Sequence, residues 1–74
     1  MDEGAMSILG KFRELGLTEV DNAIQARTYA SLFGSISDAT AASNELINAG
    51  FAVEGKKAGS LKLTAAGASK VKIL

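Results

Sequence analysis

Hydrophobic residues near the start of the chain follow the spacing of one helix face. Apolar side chains recur every three or four positions, at Ala5, Ile8, Leu9, Phe12 and Leu15. That spacing places them on one side of an α-helix, which can then pack against a core. We predict a helix over residues 5–15, ended by Gly16, with residues 1–4 frayed ahead of it.

Residues 19–33 allow two interpretations. Thr18 can cap a helix, with Asp21 three residues later in place of the usual Glu of a capping box. One interpretation is a single helix as far as Phe33, with a buried face made of Val20, Ala23, Ile24, Ala30 and Phe33. The other is a break near residues 26–28, which leaves a short helix from about Thr28 to Phe33. Gly34 ends the helix in both.

A further helix is predicted over residues 39–49, with Ser37 or Asp38 as its N-cap. Residues 34–37 would form the turn before it, from which Ile36 could reach the core. At about 3.6 residues per turn, the inward positions are Ala39, Ala42 and Leu46, with Ser43 and Ile47 at the margin. The outward positions are Thr40, Ala41, Asn44 and Asn48. Gly50 would stop this helix, with Phe51 packed behind it.

Two short segments, residues 51–54 and 60–63, alternate apolar and polar side chains, as half-buried strands do. Residues 55–59 would join them as a hairpin loop. We expect Phe51 and Val53 to be buried beside Leu61 and Leu63. Thr64 would then cap a last helix over residues 65–72.

In this order the elements predict one α+β domain over residues 1–74, a small winged helix-turn-helix. It would contain three to four helices and a two-stranded antiparallel β-hairpin, the wing. Within residues 28–67, the residues that match this order of elements are Ala30, Gly34, Leu46, Gly50, Phe51, Val53, Leu63, Thr64 and Gly67. With these residues the chain resembles winged helix-turn-helix domains of the MarR and ArsR type.

The resemblance implies DNA binding, by a transcriptional regulator or an accessory protein of a mobile element. The helix over residues 39–49 would be the recognition helix. Its polar side chains would contact double-stranded DNA, with Thr40 and Asn44 towards the bases and Ser37 beside them. Lysines in and beside the wing would hold the phosphate backbone, at Lys56, Lys57 and Lys62. For both groups the alternative is a solvated helix face and an ordinary hairpin loop.

The chain departs from the family pattern in two ways, and the second, the acidic recognition helix, favours a different function. Ser43 stands where an apolar residue is usual, and the recognition helix carries Asp38 and Glu45 but no Lys or Arg. The alternative is a winged helix that binds a protein partner, for instance of the transcription machinery, without affinity for DNA. A structural subunit of a larger assembly is a third class.

The formal net charge of the chain is zero, but the charges are unevenly spread. Residues 35–74 carry five lysines and three acidic residues, whereas residues 1–34 carry five acidic and three basic residues. This basic bias is weaker than that of a dedicated nucleic-acid-binding domain. The amphipathic N-terminal helix could form a homodimer interface, or it could pack on its own core.

The chain contains no Cys and no His. Their absence excludes disulfides and thiolate zinc sites and removes the commonest general base. No nucleophile lies in a recognisable catalytic motif, so we expect no enzyme activity, catalytic residue, metal or cofactor. No apolar run approaches the roughly 18 residues of a membrane helix, and the first residues are acidic, unlike a signal peptide. We expect a cytoplasmic protein that does not enter a membrane.

Overall fold

A computed structural model describes residues 2–74 of the chain. In chain order its elements are α1 (Glu3–Glu14), β1 (Ala23–Ile24), α2 (Ala26–Ala30), α3 (Ile36–Asn48), β2 (Ala52–Glu54), β3 (Leu61–Leu63) and α4 (Ala65–Lys72). Four helices and a three-stranded antiparallel sheet make a small α+β domain with a winged-helix-like arrangement. The predicted fold class is therefore confirmed, with one strand more than expected.

Helix α1 begins earlier than the apolar pattern indicates. The carboxylate of Asp2 accepts a hydrogen bond from the N–H of Ala5 at 3.2 Å and caps the helix. This bond holds the pKa of the Asp2 carboxyl below its ordinary value. Residues 2–4, predicted to be frayed, are thus the cap and the first helical residues, while Met1 lies outside the described residues.

Helix α1 ends just before Gly16, whose backbone conformation favours glycine. Gly16 has a φ of 74°, a left-handed conformation that glycine adopts without a Cβ penalty. The N–H of Leu17 reaches back to the carbonyl of Phe12 at 2.9 Å, as in a Schellman motif. Leu15 is already the C-cap and is exposed, so its predicted place on the buried face was wrong.

Of the two interpretations of residues 19–33, the single long helix is wrong. Asp21 has a φ of 71°, which interrupts any helix, and Thr18 makes no cap. Ala23 and Ile24 instead pair with β3, and the short helix α2 follows directly. The interpretation with a short separate helix was closer, although α2 begins before Thr28 and ends before Phe33. Of the expected buried face, Val20 and Ala23 are exposed and only Ile24 is buried.

The sheet has the strand order β1-β3-β2, with β3 in the centre. Ala52 pairs with Leu63 and Val53 pairs with Lys62. Directly opposite residues share a face of an antiparallel sheet, so Ala52 faces the core with Leu63. Val53 points outward and is 42% exposed, which makes its predicted burial wrong. Phe51 is half-buried ahead of the strand.

Helix α3 also begins earlier than predicted. The hydroxyl of Ser35 accepts from the N–H of Asp38 at 3.1 Å, so Ser35 is the N-cap rather than Ser37 or Asp38. Ile36 becomes the first helical residue and is 82% exposed, not inserted into the core. The predicted inward and outward faces are confirmed, with Ala39, Ala42, Ser43 and Leu46 buried.

The core lies between α1, α3, α4 and the inner face of the sheet. Its largest fully buried side chains are Phe12, Ile8, Leu9, Leu46, Leu61, Leu63 and Val71. The apolar face of α1 is used within this core, so that face is not free to form a homodimer. None of the helices in residues 2–74 has the length and apolar character needed to cross a membrane.

Helix α4 is joined to the preceding elements at its first turn, and its predicted bounds and Thr64 cap are confirmed. The hydroxyl of Thr64 accepts from the N–H of Gly67 at 3.1 Å and donates to the carbonyl of Gly50 at 2.6 Å. A Cβ on Gly67 would overlap the carbonyl oxygen of Phe51. The sequence Leu63-Thr-Ala-Ala-Gly67 therefore brings two backbone segments into direct contact.

Two glycine-to-alanine substitutions should have opposite effects. Gly67→Ala should destabilise the domain by roughly 1–3 kcal/mol, because the new methyl group overpacks against the Phe51 carbonyl. Gly10 lies inside α1, and among residues 2–74 no atom outside that helix approaches its Cβ position within 4 Å. Gly10→Ala should therefore stabilise by about 0.5–1 kcal/mol.

Urea unfolding followed by circular dichroism measures both changes. Because the gain in helix propensity is shared, the difference between the two variants isolates the close approach at Gly67. A Gly67→Ala protein as stable as Gly10→Ala would contradict the described contact.

Candidate nucleic-acid interface

The outer face of α3 presents a continuous polar stripe. Ser37, Thr40, Asn44 and Asn48 are all exposed, and their spacing of three or four residues places them along one side of the helix. Ala41 lies beside them and is also exposed. Asp38 is in the first turn, where a carboxylate complements the positive end of the helix dipole. The stripe thus offers hydroxyl and amide groups without a cation.

Glu45, which the sequence analysis counted as a charge of the recognition helix, has another role. Its carboxylate accepts a hydrogen bond from the backbone N–H of Asp2 at 2.7 Å, and the residue is half-buried. This contact joins α3 to the start of α1. Glu45 therefore points towards α1, so it opposes an approaching phosphate less than the sequence suggested.

The loop from Gly55 to Ser60 is held by hydrogen bonds within the hairpin. The N–H of Gly55 donates to the carbonyl of Ser60. Both the N–H and the hydroxyl of Ser60 donate to the carbonyl of Lys57, at 3.0 Å and 2.7 Å. The N–H of Gly59 donates to the carboxylate of Glu54 at 3.0 Å. Lys56 and Lys57 remain exposed on this compact loop. The loop is the tip of the predicted hairpin wing, and from here on we use the name wing for this loop alone.

Tyr29 of α2 fastens the wing to the helices. Its ring is buried, and its hydroxyl donates to the carbonyl of Gly59 at 2.6 Å. Gly59 has a φ of 79°, and a Cβ there would come within 3.1 Å of Ala26. Sequence reasoning missed this anchor. The available signal was the lone tyrosine of the chain, because a buried tyrosine hydroxyl usually finds a partner.

A depression of about 240 Å³ separates α3 from the wing. We call it the helix–wing depression, and its lining includes Tyr29, Thr40, Ser43, Asn44, Glu54 and Ser60. The structure therefore brings Thr40 and Asn44 to the base of the wing. Ser37 lies nearer the start of α3 and does not line this depression.

Lys62 lies apart from the α3 stripe. It is opposite Ala23 and Val53 in the sheet, so its side chain lies on the outer face. Its Nζ atom is 3.9 Å from a carboxylate oxygen of Asp21. Of the six predicted DNA-contacting residues, Ser37, Thr40 and Asn44 share one stripe, Lys56 and Lys57 share the wing, and Lys62 lies on the outer face of the sheet.

Within residues 2–74, no group of three acidic side chains is arranged to hold a metal ion. The chain matches no protein-family model, and searches of curated proteins and of solved structures find no significantly similar protein.

Removing the hydroxyl of Tyr29 should loosen the wing without unfolding the domain. Tyr29→Phe loses the hydrogen bond to Gly59 and should destabilise by about 0.5–1.5 kcal/mol. Amide hydrogen exchange at Gly59 and Ser60 should accelerate more than exchange in β3. Ser31→Ala, which removes an exposed hydroxyl next to α2, should change stability by less than about 0.5 kcal/mol. Unchanged exchange at Gly59 in Tyr29→Phe would show that the hydroxyl does not anchor the wing.

Proposed function

We propose that this domain binds double-stranded DNA, with α3 in the major groove and the wing on the phosphate backbone. The observation that carries the proposal is the polar stripe of α3 next to a hairpin that presents two exposed lysines. The biological role we infer is that of a transcriptional regulator or of an accessory protein of a mobile element.

The side chains of the α3 stripe carry functional groups that can contact the edges of DNA bases. The Asn44 amide can both donate to and accept from one adenine, and the Thr40 hydroxyl can contact either base while its methyl group packs on thymine. Both side chains are exposed and border the helix–wing depression. Ser37, in the first turn of α3, is suited to a phosphate contact because helix N-termini attract anions.

The wing supplies positive charge without geometric demands. Among residues 2–74, neither Lys56 nor Lys57 forms a salt bridge. Each is therefore free to neutralise a phosphate, which requires charge more than a fixed orientation. With so few cations at the interface, we expect modest affinity that depends on salt.

A protein-binding function is the alternative, and one observation favours it. Helix α3 has no Lys or Arg, whereas Leu32 and Ile36, at the turn before and the first residue of α3, are 42% and 82% exposed. These apolar side chains lie near the start of the same stripe and could pack against a partner protein. DNA-binding measurements decide between the two functions.

Charge reversal at the wing tests the proposal. Lys56→Glu combined with Lys57→Glu should weaken binding to any duplex and lower the log–log salt slope by about 1.8, since each phosphate contact contributes about 0.9. The control is Lys70→Glu with Lys72→Glu in α4, which makes the same charge change away from the wing. Because this control also breaks the exposed salt bridge between Lys72 and Glu19, circular dichroism must first show that its fold is intact. Fluorescence anisotropy on a duplex selected from a random pool, and on a scrambled one, measures both quantities.

Thr40→Ala and Asn44→Ala should act differently from the wing variants. Each should reduce the difference in binding free energy between the selected and scrambled duplexes, by roughly 1–3 kcal/mol where the side chain makes a bidentate contact. The log–log salt slope should stay nearly unchanged. If wild type binds no duplex even at low salt, the protein-binding alternative replaces this proposal. Equal losses in the wing and α4 double variants would point to non-specific charge rather than to the wing.

A further inference from the structure

A groove lies beside the wing, and none of its lining residues belongs to α3. It is an open groove of about 640 Å³ between β1 and the hairpin loop. We call it the strand–wing groove, and its lining includes Asp21, Ala23, Glu54, Lys56, Lys57 and Lys62. Its volume lies within the range of small-molecule sites, about 300–1,000 Å³.

Three ammonium groups and two carboxylates line this groove. Among residues 2–74, Lys62 has only Asp21 within salt-bridge range, at the long distance of 3.9 Å. The other carboxylate of the lining belongs to Glu54 and accepts the N–H of Gly59. Lys56 and Lys57 form no salt bridge within residues 2–74. With three lysines and two acidic residues, the groove therefore has an excess of one positive charge even though the whole chain is neutral.

The sheet gives Lys62 a defined position in this groove. It sits at the centre of β3, between Ala23 of β1 and Val53 of β2. The small Ala23 side chain leaves space on the outer face beside it. The stem of Lys62 lies on the outer face of the sheet and its ammonium group lines the groove, where it can contact an anion. Lys56 and Lys57 approach the same groove from the loop.

We propose that the strand–wing groove binds a small anion that carries two or more phosphate groups, with Lys62 as the central contact. Lysine binds phosphate as a point charge, and three lysines match the several charges of a di- or triphosphate group. No aromatic residue lines the groove, so the recognised chemistry is the phosphate group rather than an attached ring.

A consequence for regulation rests on the DNA-binding function proposed above. Lys56 and Lys57 line the strand–wing groove and are also the proposed DNA phosphate contacts. An anion held in the groove would occupy both lysines and would weaken DNA binding. The anion site itself does not depend on DNA and can be tested alone.

The test is a titration of the whole chain with inorganic pyrophosphate, without DNA, at constant ionic strength kept with sodium chloride. Two-dimensional amide NMR should show shifts at Ala23 and Lys62 as well as at the wing. Lys62→Gln should weaken binding about two- to fivefold, the usual size for one exposed ion pair. Lys70→Gln, a lysine of α4 outside the groove, is the matched control and should bind like wild type.

Asp21→Asn should have the opposite effect on the affinity for pyrophosphate. It removes the carboxylate that competes for Lys62, so pyrophosphate should bind about two- to fivefold more tightly. The substitution should leave the fold intact, because Asn readily adopts the left-handed φ of 71° found at this position. The N–H of residue 21 would keep its bond to the carbonyl of Leu63.

Three outcomes would overturn the proposal. One is shifts confined to Lys56 and Lys57, which would indicate screening at the loop tip. Another is equal affinity in wild type, Lys62→Gln and Asp21→Asn. The third is perturbation of Ala23 and Lys62 by a random duplex but not by pyrophosphate, which would make the groove part of a DNA surface. Pyrophosphate binding by a protein that binds no DNA would support the groove while removing only its regulatory consequence.

Discussion

The position of the wing depends on the hydrogen bonds that the side-chain hydroxyl of Thr64 makes. This hydroxyl donates to the carbonyl of Gly50 and accepts from the N–H of Gly67, while the backbone N–H of Thr64 donates to Phe51. One residue thus connects the end of α3, the approach to β2, the end of β3 and the start of α4. Since β2 and β3 carry the wing, this contact places the wing relative to α3.

Tyr29 fixes the far end of the same hairpin. Its hydroxyl reaches Gly59 at the tip, whereas Thr64 holds the base. Between these two anchors the hairpin is only three residues long on each side, so little of the wing is free to pivot. The helix–wing depression is therefore a property of the folded domain and not of a loose loop, which is what a binding surface requires.

The acidic residues near the proposed interface each have a structural partner or position. Glu45 accepts from the backbone of Asp2, Glu54 accepts from Gly59, and Asp38 lies in the first turn of α3. Lys56 and Lys57 have no comparable engagement in the described chain. A net charge of zero is thus compatible with a locally positive wing, because electrostatic attraction at short range follows the nearest charges.

Local chemistry determined the helix ends that the sequence predicted correctly. Gly16 and Gly50 stop helices because glycine accepts a left-handed φ, and Thr64 caps α4 with its own hydroxyl. These signals lie within a few neighbouring residues. In contrast, β1 is too short to show any periodicity, and only pairing with β3 reveals it.

The same distinction explains the error in strand β2. The sequence alone determined which residues of α3 are exposed, because helical spacing is intrinsic to the chain. It could not determine that Ala52 rather than Val53 faces the core, since a shift of one residue in register reverses every side chain of a strand. That register depends on partners distant in sequence, which only the tertiary structure brings together.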